Sequence, residues 1–134
     1  MTLQVRLSEA TGEMEIRGSR AGLSRLADLL HGERGRLELD RNPDPHPYDT
    51  SLSSVEFEET VGLAVALASA DSECLEIRGG RESLEILAAN LESFAEEAGT
   101  DSHLHIEYLP EIGYMSEDSD PLIIALADEG MGGS

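Results

Sequence analysis

The sequence predicts an α+β protein in which a ββαββ unit occurs twice and builds a mostly antiparallel sheet with two helices packed on one face. Three observations lead to this fold class. Residues 15–30 and 76–91 agree at nine of sixteen positions without a gap, where composition alone gives roughly one or two. Apolar and polar residues alternate in eight short segments, which is the period of strands. Two longer segments repeat leucines at helical spacing, and helices set against a sheet of this kind are typical of α+β domains.

The chain has 134 residues, which is the size of one ordinary domain. We therefore expect a single domain over residues 1–129, made of two pseudo-repeats at about 1–59 and 60–129. The glycine-rich end at 130–134 is expected to be a flexible tail.

The first unit reads as a strand hairpin, a helix and two further strands. The helix is predicted to start after Ser19 as N-cap and to stop at Gly32. The apolar positions that define these elements are Leu3, Val5, Leu7, Met14 and Ile16 for the hairpin, Leu23, Leu26 and Leu30 for the helix, and Leu37, Leu39, Val55 and Phe57 for the last strands.

The second unit repeats this order, with a longer helix that ends at Gly99. On the sheet face away from the helices, the first unit is predicted to be acidic and solvated, whereas the second is smaller and more apolar, as at Ala64 and Ala66. This contrast makes a second copy of the chain a candidate partner. The inward positions are Leu63, Val65, Leu67, Leu75 and Ile77 for the hairpin, Leu84, Leu87, Leu91 and Phe94 for the helix, and Leu104, Ile106, Tyr108, Leu122, Ile124 and Leu126 for the last strands.

Charge separates this chain from most proteins of its size. It has 9 basic and 28 acidic residues, a net charge of −19, and every basic residue is arginine. Phosphate contacts need positive charge, so neither nucleic acid nor an anionic membrane is expected as a partner. The acidity fits two interpretations equally well: solubility or salt adaptation, and steering toward a basic protein.

The sequence predicts a cytoplasmic protein. The first twenty residues contain no apolar stretch of signal-peptide length, and the mild apolar run at 61–70 is half of what a membrane span needs. Cys74 is the only cysteine, which rules out an intramolecular disulfide and suits a reducing compartment. We expect its side chain to be buried as a small apolar group.

One strand carries side chains that are capable of chemistry. His103, His105 and Glu107 alternate, so they are predicted to share a sheet face, where they could hold a divalent metal or supply a general base. A solvated or partner-contacting strand face explains the same pattern, and we favour it. The sequence has no phosphate loop, nucleophile elbow or cofactor motif, so neither an enzyme nor a cofactor is expected.

Two loops with tyrosines follow equivalent strands. Tyr48 lies in the proline-rich segment 41–49, and Tyr114 lies in the acidic segment 110–120. The proline-rich segment is interpreted as a stiff connection, with a pre-ordered binding loop anchored by Tyr48 as the alternative, and the segment with Tyr114 is its counterpart in the second unit. Together with the strand residues, they complete the predicted partner-binding set, which is Glu13, Glu15, Glu38, Asp40, Tyr48, His103, His105, Glu107 and Tyr114.

The second half resembles a known family. Residues 74–127 contain a Leu-Glu-Ile-Arg-Gly-Gly strand, a leucine-rich helix, the run His-x-His-x-Glu-Tyr-x-Pro from His103 to Pro110, and a final Pro-Leu-Ile-Ile. This order resembles bacterial immunity-protein family thirty-two of the polymorphic toxin systems. In the first half, Glu38 and Asp40 align with His105 and Glu107.

The resemblance implies a non-catalytic antidote that binds a cognate toxin in the cytoplasm, and the acidity suits a basic toxin. Two alternatives stay open on the residues alone. An acidic nucleic-acid mimic would inhibit DNA-binding proteins in general, and a small metal-dependent enzyme would use His103, His105 and Glu107.

Overall fold

The fold is described from a computed structural model, which covers residues 3–8, 11–40, 50–69, 73–97, 103–106, 115–116 and 119–126. Both tyrosine loops are outside these ranges except for a few residues at 115–116 and 119–120, and so are Glu107 and the tail at 130–134. The described part contains two helices and nine strands, which confirms the α+β class. In chain order these are β1 (Leu3–Leu7), β2 (Met14–Gly18), α1 (Arg20–Leu30), β3 (Arg34–Glu38), β4 (Thr50–Ser51), β5 (Ser54–Glu59), β6 (Val65–Ser69), β7 (Cys74–Gly79), α2 (Arg81–Glu97), β8 (His103–Ile106) and β9 (Leu122–Leu126).

The described strands form two sheets, where the sequence predicted one. Sheet A has the order β4-β1-β2-β9-β8, and sheet B has the order β3-β5-β7-β6. Each sheet combines a hairpin from one half of the chain with the last strands of the other half. The joining pairs, β2 with β9 and β5 with β7, are parallel, whereas the remaining pairs are antiparallel. Hydrophobic period identifies a strand but not its partner, which is why this exchange was not predicted.

The two sheets share one strand order when β1, β2, β9 and β8 are matched to β6, β7, β5 and β3. The register of the strands can be compared with the alignment of the two halves that the sequence predicts. In sheet A, Glu15 of β2 pairs with Ile123 of β9, which pairs with His105 of β8. In sheet B, Glu76 of β7 pairs with Glu56 of β5, which pairs with Arg36 of β3. The strand pairing thus places Arg36 at the end of its row in sheet B, as it places His105 in sheet A, whereas the sequence comparison aligns Glu38 with His105. The internal duplication itself stays a prediction.

The helices start as the sequence indicates and pack against each other. Ser19 is the N-cap of α1, and its buried Oγ accepts a hydrogen bond from the Gly22 amide at 2.9 Å. α1 also contacts β2 and β3, and α2 contacts β7. The leucine stripes of both helices and the inward sides of both sheets form one buried cluster, so a single core joins the two halves. Packing of both helices on one sheet face stays a prediction.

Strand β6 faces the opposite way from its prediction. Ala66 pairs with the inward Ile77 and is fully buried, whereas Leu67 pairs with Glu76 and is 44% exposed. The inner side of β6 has little room, because a Cβ on Gly79 would lie only 2.8 Å from the Cα of Ala64. Alanines fit this space and the larger residues turn outward. The apolar contact surface predicted around the alanines is therefore part of the core.

The edges of β1 and β6 are covered by chain segments that carry a matching aspartate. Asp40 accepts from the Leu3 amide through its carboxylate at 3.2 Å and donates its own amide to the Leu3 carbonyl at 2.9 Å. Asp120 bonds in the same way to Ala68, at 3.3 Å, and to Ala66, at 2.9 Å. These contacts satisfy backbone groups that an uncovered edge would leave open.

Cys74 is buried and free, as predicted. Among the described residues, neither helix has the length and apolarity required to cross a membrane.

Candidate functional site

The outer face of sheet A holds both predicted histidines. Its two rows of side chains run across β1, β2, β9 and β8 in register, and the face consists of Gln4, Arg6, Glu15, Arg17, Ile123, Ala125, His103 and His105. His103 and His105 are exposed at the end strand, next to Ala125 and Ile123 on β9. The face therefore grades from ion-paired arginines on one side to imidazoles and a half-buried isoleucine on the other.

Glu15 is buried under its arginine neighbours, with 6% of its surface exposed. Its Oε1 accepts from Arg6 Nε at 3.1 Å and from Arg17 Nε at 3.3 Å. Burial by itself raises the pKa of Glu15, but the hydrogen bonds and charges of the two arginines outweigh it and hold the pKa below its usual range. Glu15 is thus the centre of a charge cluster that orders the face.

The outer face of sheet B is an ion-paired surface with an open depression of about 460 Å³. Arg36 bonds to Glu38 at 2.8 Å and to Glu56 at 2.9 Å, and Arg78 bonds to Glu76 at 2.8 Å. The side chains that make up this face are Arg34, Arg36, Glu38, Glu56, Glu58, Glu76, Arg78, Val65 and Leu67.

The predicted partner-binding residues do not lie on one described surface. Glu15, His103 and His105 share sheet A, whereas Glu38 lies on sheet B and pairs with an arginine. The Asp40 carboxylate is engaged with the backbone of β1, and Glu13, which lies just before β2, is half-buried. Tyr48, Glu107 and Tyr114 are outside the described residues.

The acidic side chains are divided between the described residues and the rest of the chain. The described residues hold 17 of the 28 acidic side chains and eight of the nine arginines. The remaining 11 acidic residues and one arginine are outside the described residues. The sheet faces are close to balanced in charge, because five arginines lie on them.

Two arginines at equivalent repeat positions join the helix ends. Arg20, the first residue of α1, donates to the Ala95 carbonyl near the end of α2 at 2.5 Å. Arg81, the first residue of α2, donates to the Leu30 carbonyl at the end of α1 at 2.8 Å. The helices are therefore antiparallel, and each supplies a cation to the other's C-terminal carbonyls. We call these contacts the reciprocal arginine caps.

The sequence analysis did not predict these caps, although both arginines are among the nine matched repeat positions. Arg81 also contacts Gly32, Glu59 and Glu85. Next to it, His31 Nδ1 lies 3.1 Å from Glu85, and His31 Nε2 lies 3.3 Å from Glu92. The Glu85 hydrogen bond is the main cause of a raised His31 pKa, to which Glu92 adds.

Within the described ranges, no group of three His, Cys, Asp or Glu side chains is arranged to hold a metal ion. The third residue of the predicted metal trio, Glu107, is outside those ranges.

The chain is, in class, a small acidic α+β protein with ion-paired outer sheet faces: most charged side chains of the sheet B face are exposed, whereas on the sheet A face only the two histidines are exposed. A family model described as Immunity protein 32 matches residues 13–32 and 75–130, together more than half of the chain. The protein belongs to this immunity-protein family, which confirms the resemblance read from residues 74–127. No curated protein and no solved structure matches the chain.

Proposed function

We propose that this protein is a non-catalytic antidote, which binds a cognate toxin domain in the cytoplasm one to one and thereby neutralises it. The family match is the observation that carries the proposal. Its residues include β2, β9 and β8, three adjacent strands of sheet A.

We place the toxin contact on the outer face of sheet A. His103 and His105 are exposed there, and Ile123 adds a half-buried apolar side chain between Glu15 and His105. A central apolar group with polar surroundings is the usual composition of an interface core. Arg6 and Arg17 are already held in place because they bind Glu15. Little side-chain conformational freedom is therefore lost when the toxin binds. In the sequence, the loop with Tyr48 comes after β3, and Glu107 and the loop with Tyr114 come after β8. We include these residues in the proposed toxin-binding set.

The net charge of −19 acts at longer range in this proposal. A basic toxin is attracted by the whole acidic molecule, which raises the association rate at low ionic strength. The near-balanced sheet face then makes the close contact, which salt weakens less. Association should therefore depend on salt more strongly than dissociation does.

The experiment begins with tagged protein in lysate of its native cells, washed at low and then high salt, with bound proteins identified by mass. The toxin domain found is then purified and titrated by calorimetry. We expect one-to-one binding with Kd in the nanomolar range or lower and protection of cells that express the toxin. Several unrelated basic proteins that all elute at modest salt would contradict the proposal and favour the nucleic-acid mimic.

Matched isoleucine variants test the surface. Ile123→Asp places a charge at the centre of the sheet A face, whereas Ile86→Asp makes the same change on α2, where Ile86 is 42% exposed. We expect the first to weaken toxin binding by about 100-fold or more and the second to leave it nearly unchanged. Thermal unfolding confirms that both variants are folded. Equal affinities for the two folded variants would exclude this face.

A further inference from the structure

Strand β3 ends sheet B, and half of its backbone groups point away from the sheet. On either side of the strand, the Glu33 carbonyl accepts from the Glu59 amide of β5 at 2.7 Å, and the Leu39 amide donates to the carbonyl of Ser53, just before β5, at 2.9 Å. Because backbone groups alternate in direction along a strand, the odd-numbered residues face β5. The amides and carbonyls of Arg34, Arg36 and Glu38 therefore face outward, and within the described residues no strand pairs with them. We call these three residues the β3 edge.

The charges of the β3 edge are complementary to those of the same edge on a second copy of the chain. Arg34 is exposed and forms no ion pair within the described part of the chain, and the Glu38 side chain is 76% exposed. When two copies of the strand run antiparallel about an axis through Arg36, Arg34 of each copy lies opposite Glu38 of the other. Arg36 then meets its own copy on the axis, where Glu38 at 2.8 Å and Glu56 at 2.9 Å balance its charge. Opposite charges directly across a strand pair are stabilising.

The structure points to a second copy of this chain as the occupant of the β3 edge. We propose that two molecules pair β3 with β3 about a two-fold axis at Arg36 and form one continuous eight-stranded sheet. The β3 edge has a net charge of +1, whereas the other described residues are negative overall. Two acidic molecules therefore repel each other less when they approach along this strip than when their acidic surfaces meet.

A groove beside the strand supplies apolar area for the same contact. It has a volume of about 660 Å³ and runs between α1 and β3. Leu29 and Leu37 line it as half-buried side chains, and Arg25 and Asp28 add one charge of each sign. A two-fold axis can place unlike charges of α1 opposite each other, as it does on the strand, so the groove suits an isologous interface.

The pairing has natural ends. β3 starts directly after the turn at Gly32, and Asp40 is already bonded to Leu3 of β1. The strand pair is therefore limited to positions 34–38. The pair belongs to sheet B, so the proposed toxin-binding face on sheet A takes no part in it, and the two proposals stand or fall separately.

The first test uses sedimentation equilibrium of the purified full chain from about 5 to 500 µM. The monomer mass is 14.4 kDa, and we expect a dimer at the upper concentrations. Arg36→Pro removes an outward amide without loss of a β5 bond and is tolerated at an edge, so it should raise the dimer Kd about tenfold or more. Arg36→Ala keeps the amide and is the matched control, which should dimerise at least as well as the native chain.

The second test fixes the register by disulfide formation under oxidation. Residues directly opposite in a hydrogen-bonded antiparallel pair have Cα atoms about 5.5 Å apart, within reach of a disulfide. Arg36→Cys should therefore form a covalent dimer, and the native Cys74 is buried and cannot compete. Glu38→Cys alone should not cross-link, whereas a mixture with Arg34→Cys should.

A native chain that stays monomeric at all concentrations would overturn the proposal. A folded Arg36→Pro variant that dimerises like Arg36→Ala would also overturn it, because the contact would then lie elsewhere. Cross-linking of Glu38→Cys with itself, in place of Arg36→Cys, would contradict the axis at Arg36.

Discussion

The reciprocal arginine caps predict that loss of one side chain at a helix start destabilises the end of the other helix. In Arg81→Ala, the Leu30 and Gly32 carbonyls lose a cationic donor. Each bond to a backbone carbonyl contributes about 1 kcal/mol. The ion pairs to Glu59 and Glu85 add little, since all three side chains are about one-third exposed or more. We expect the free energy of unfolding to fall by about 2 kcal/mol, which lowers Tm by about 8 °C in a chain of this length.

Urea unfolding at neutral pH measures this change, and Arg78→Ala is the matched control. Arg78 is more exposed, at 58%, and bonds to the single carboxylate of Glu76, so its loss should cost less than about 0.5 kcal/mol. Because the carbonyl bonds are not screened as ion pairs are, most of the Arg81→Ala effect should persist in 1 M salt. Equal effects of the two variants, or loss of the difference in salt, would refute the role of Arg81 as a helix cap.

Two further predictions concern pH. His31 has a raised pKa because of Glu85 and then Glu92, so its stabilisation is fully present below its ordinary pKa near 6.5 and is lost as pH rises through the higher folded value. Unfolding measured from pH 5.5 to 9 should show this loss in the native chain and not in His31→Gln; parallel curves would contradict the contact. Glu15 has a lowered pKa, so its stabilisation is present above its ordinary value near 4.5 and is lost as pH falls through the lower folded value. Glu15→Gln should therefore be less stable than the native chain at neutral pH and lose less stability in acid, and an unchanged acid transition would show that Arg6 and Arg17 do not hold this carboxylate.

Local sequence predicts most elements of this fold but not their partners. Ser19 is the predicted N-cap because a hydroxyl before a leucine stripe has one favoured role, and the alternation of His103 and His105 correctly places both on an exposed face. Leu67 shows the limit of such patterns. It alternates like a core residue, yet β6 packs so closely beside Gly79 that a Cβ there would meet the Ala64 backbone at 2.8 Å, and nothing in the sequence of β6 itself indicates this close packing.

In the candidate site, too, local sequence predicts the types of side chain but not their neighbours. The charged pattern of β2 is visible in the sequence, but the burial of Glu15 depends on Arg6 of the neighbouring strand. Ile123 reaches the face because β9 pairs with β2 in parallel, across 108 positions of the chain from Met14 to Leu122. Contacts at such separation are set by the packing of the whole core, and no local pattern encodes them.

The exchange of strands between the two halves has a consequence for when a newly made molecule can fold. β9 lies in the interior of sheet A, between β2 and β8, and it is the last described strand to leave the ribosome. Sheet A cannot close while the chain is still being made, and a protein with contacts at such high contact order folds slowly. Neither half should fold when expressed alone, but the two fragments, split near residue 60, should recover the fold when mixed. Sheet A of each new molecule can therefore form only after β9 has left the ribosome, so the early strands of this sheet wait for a late one.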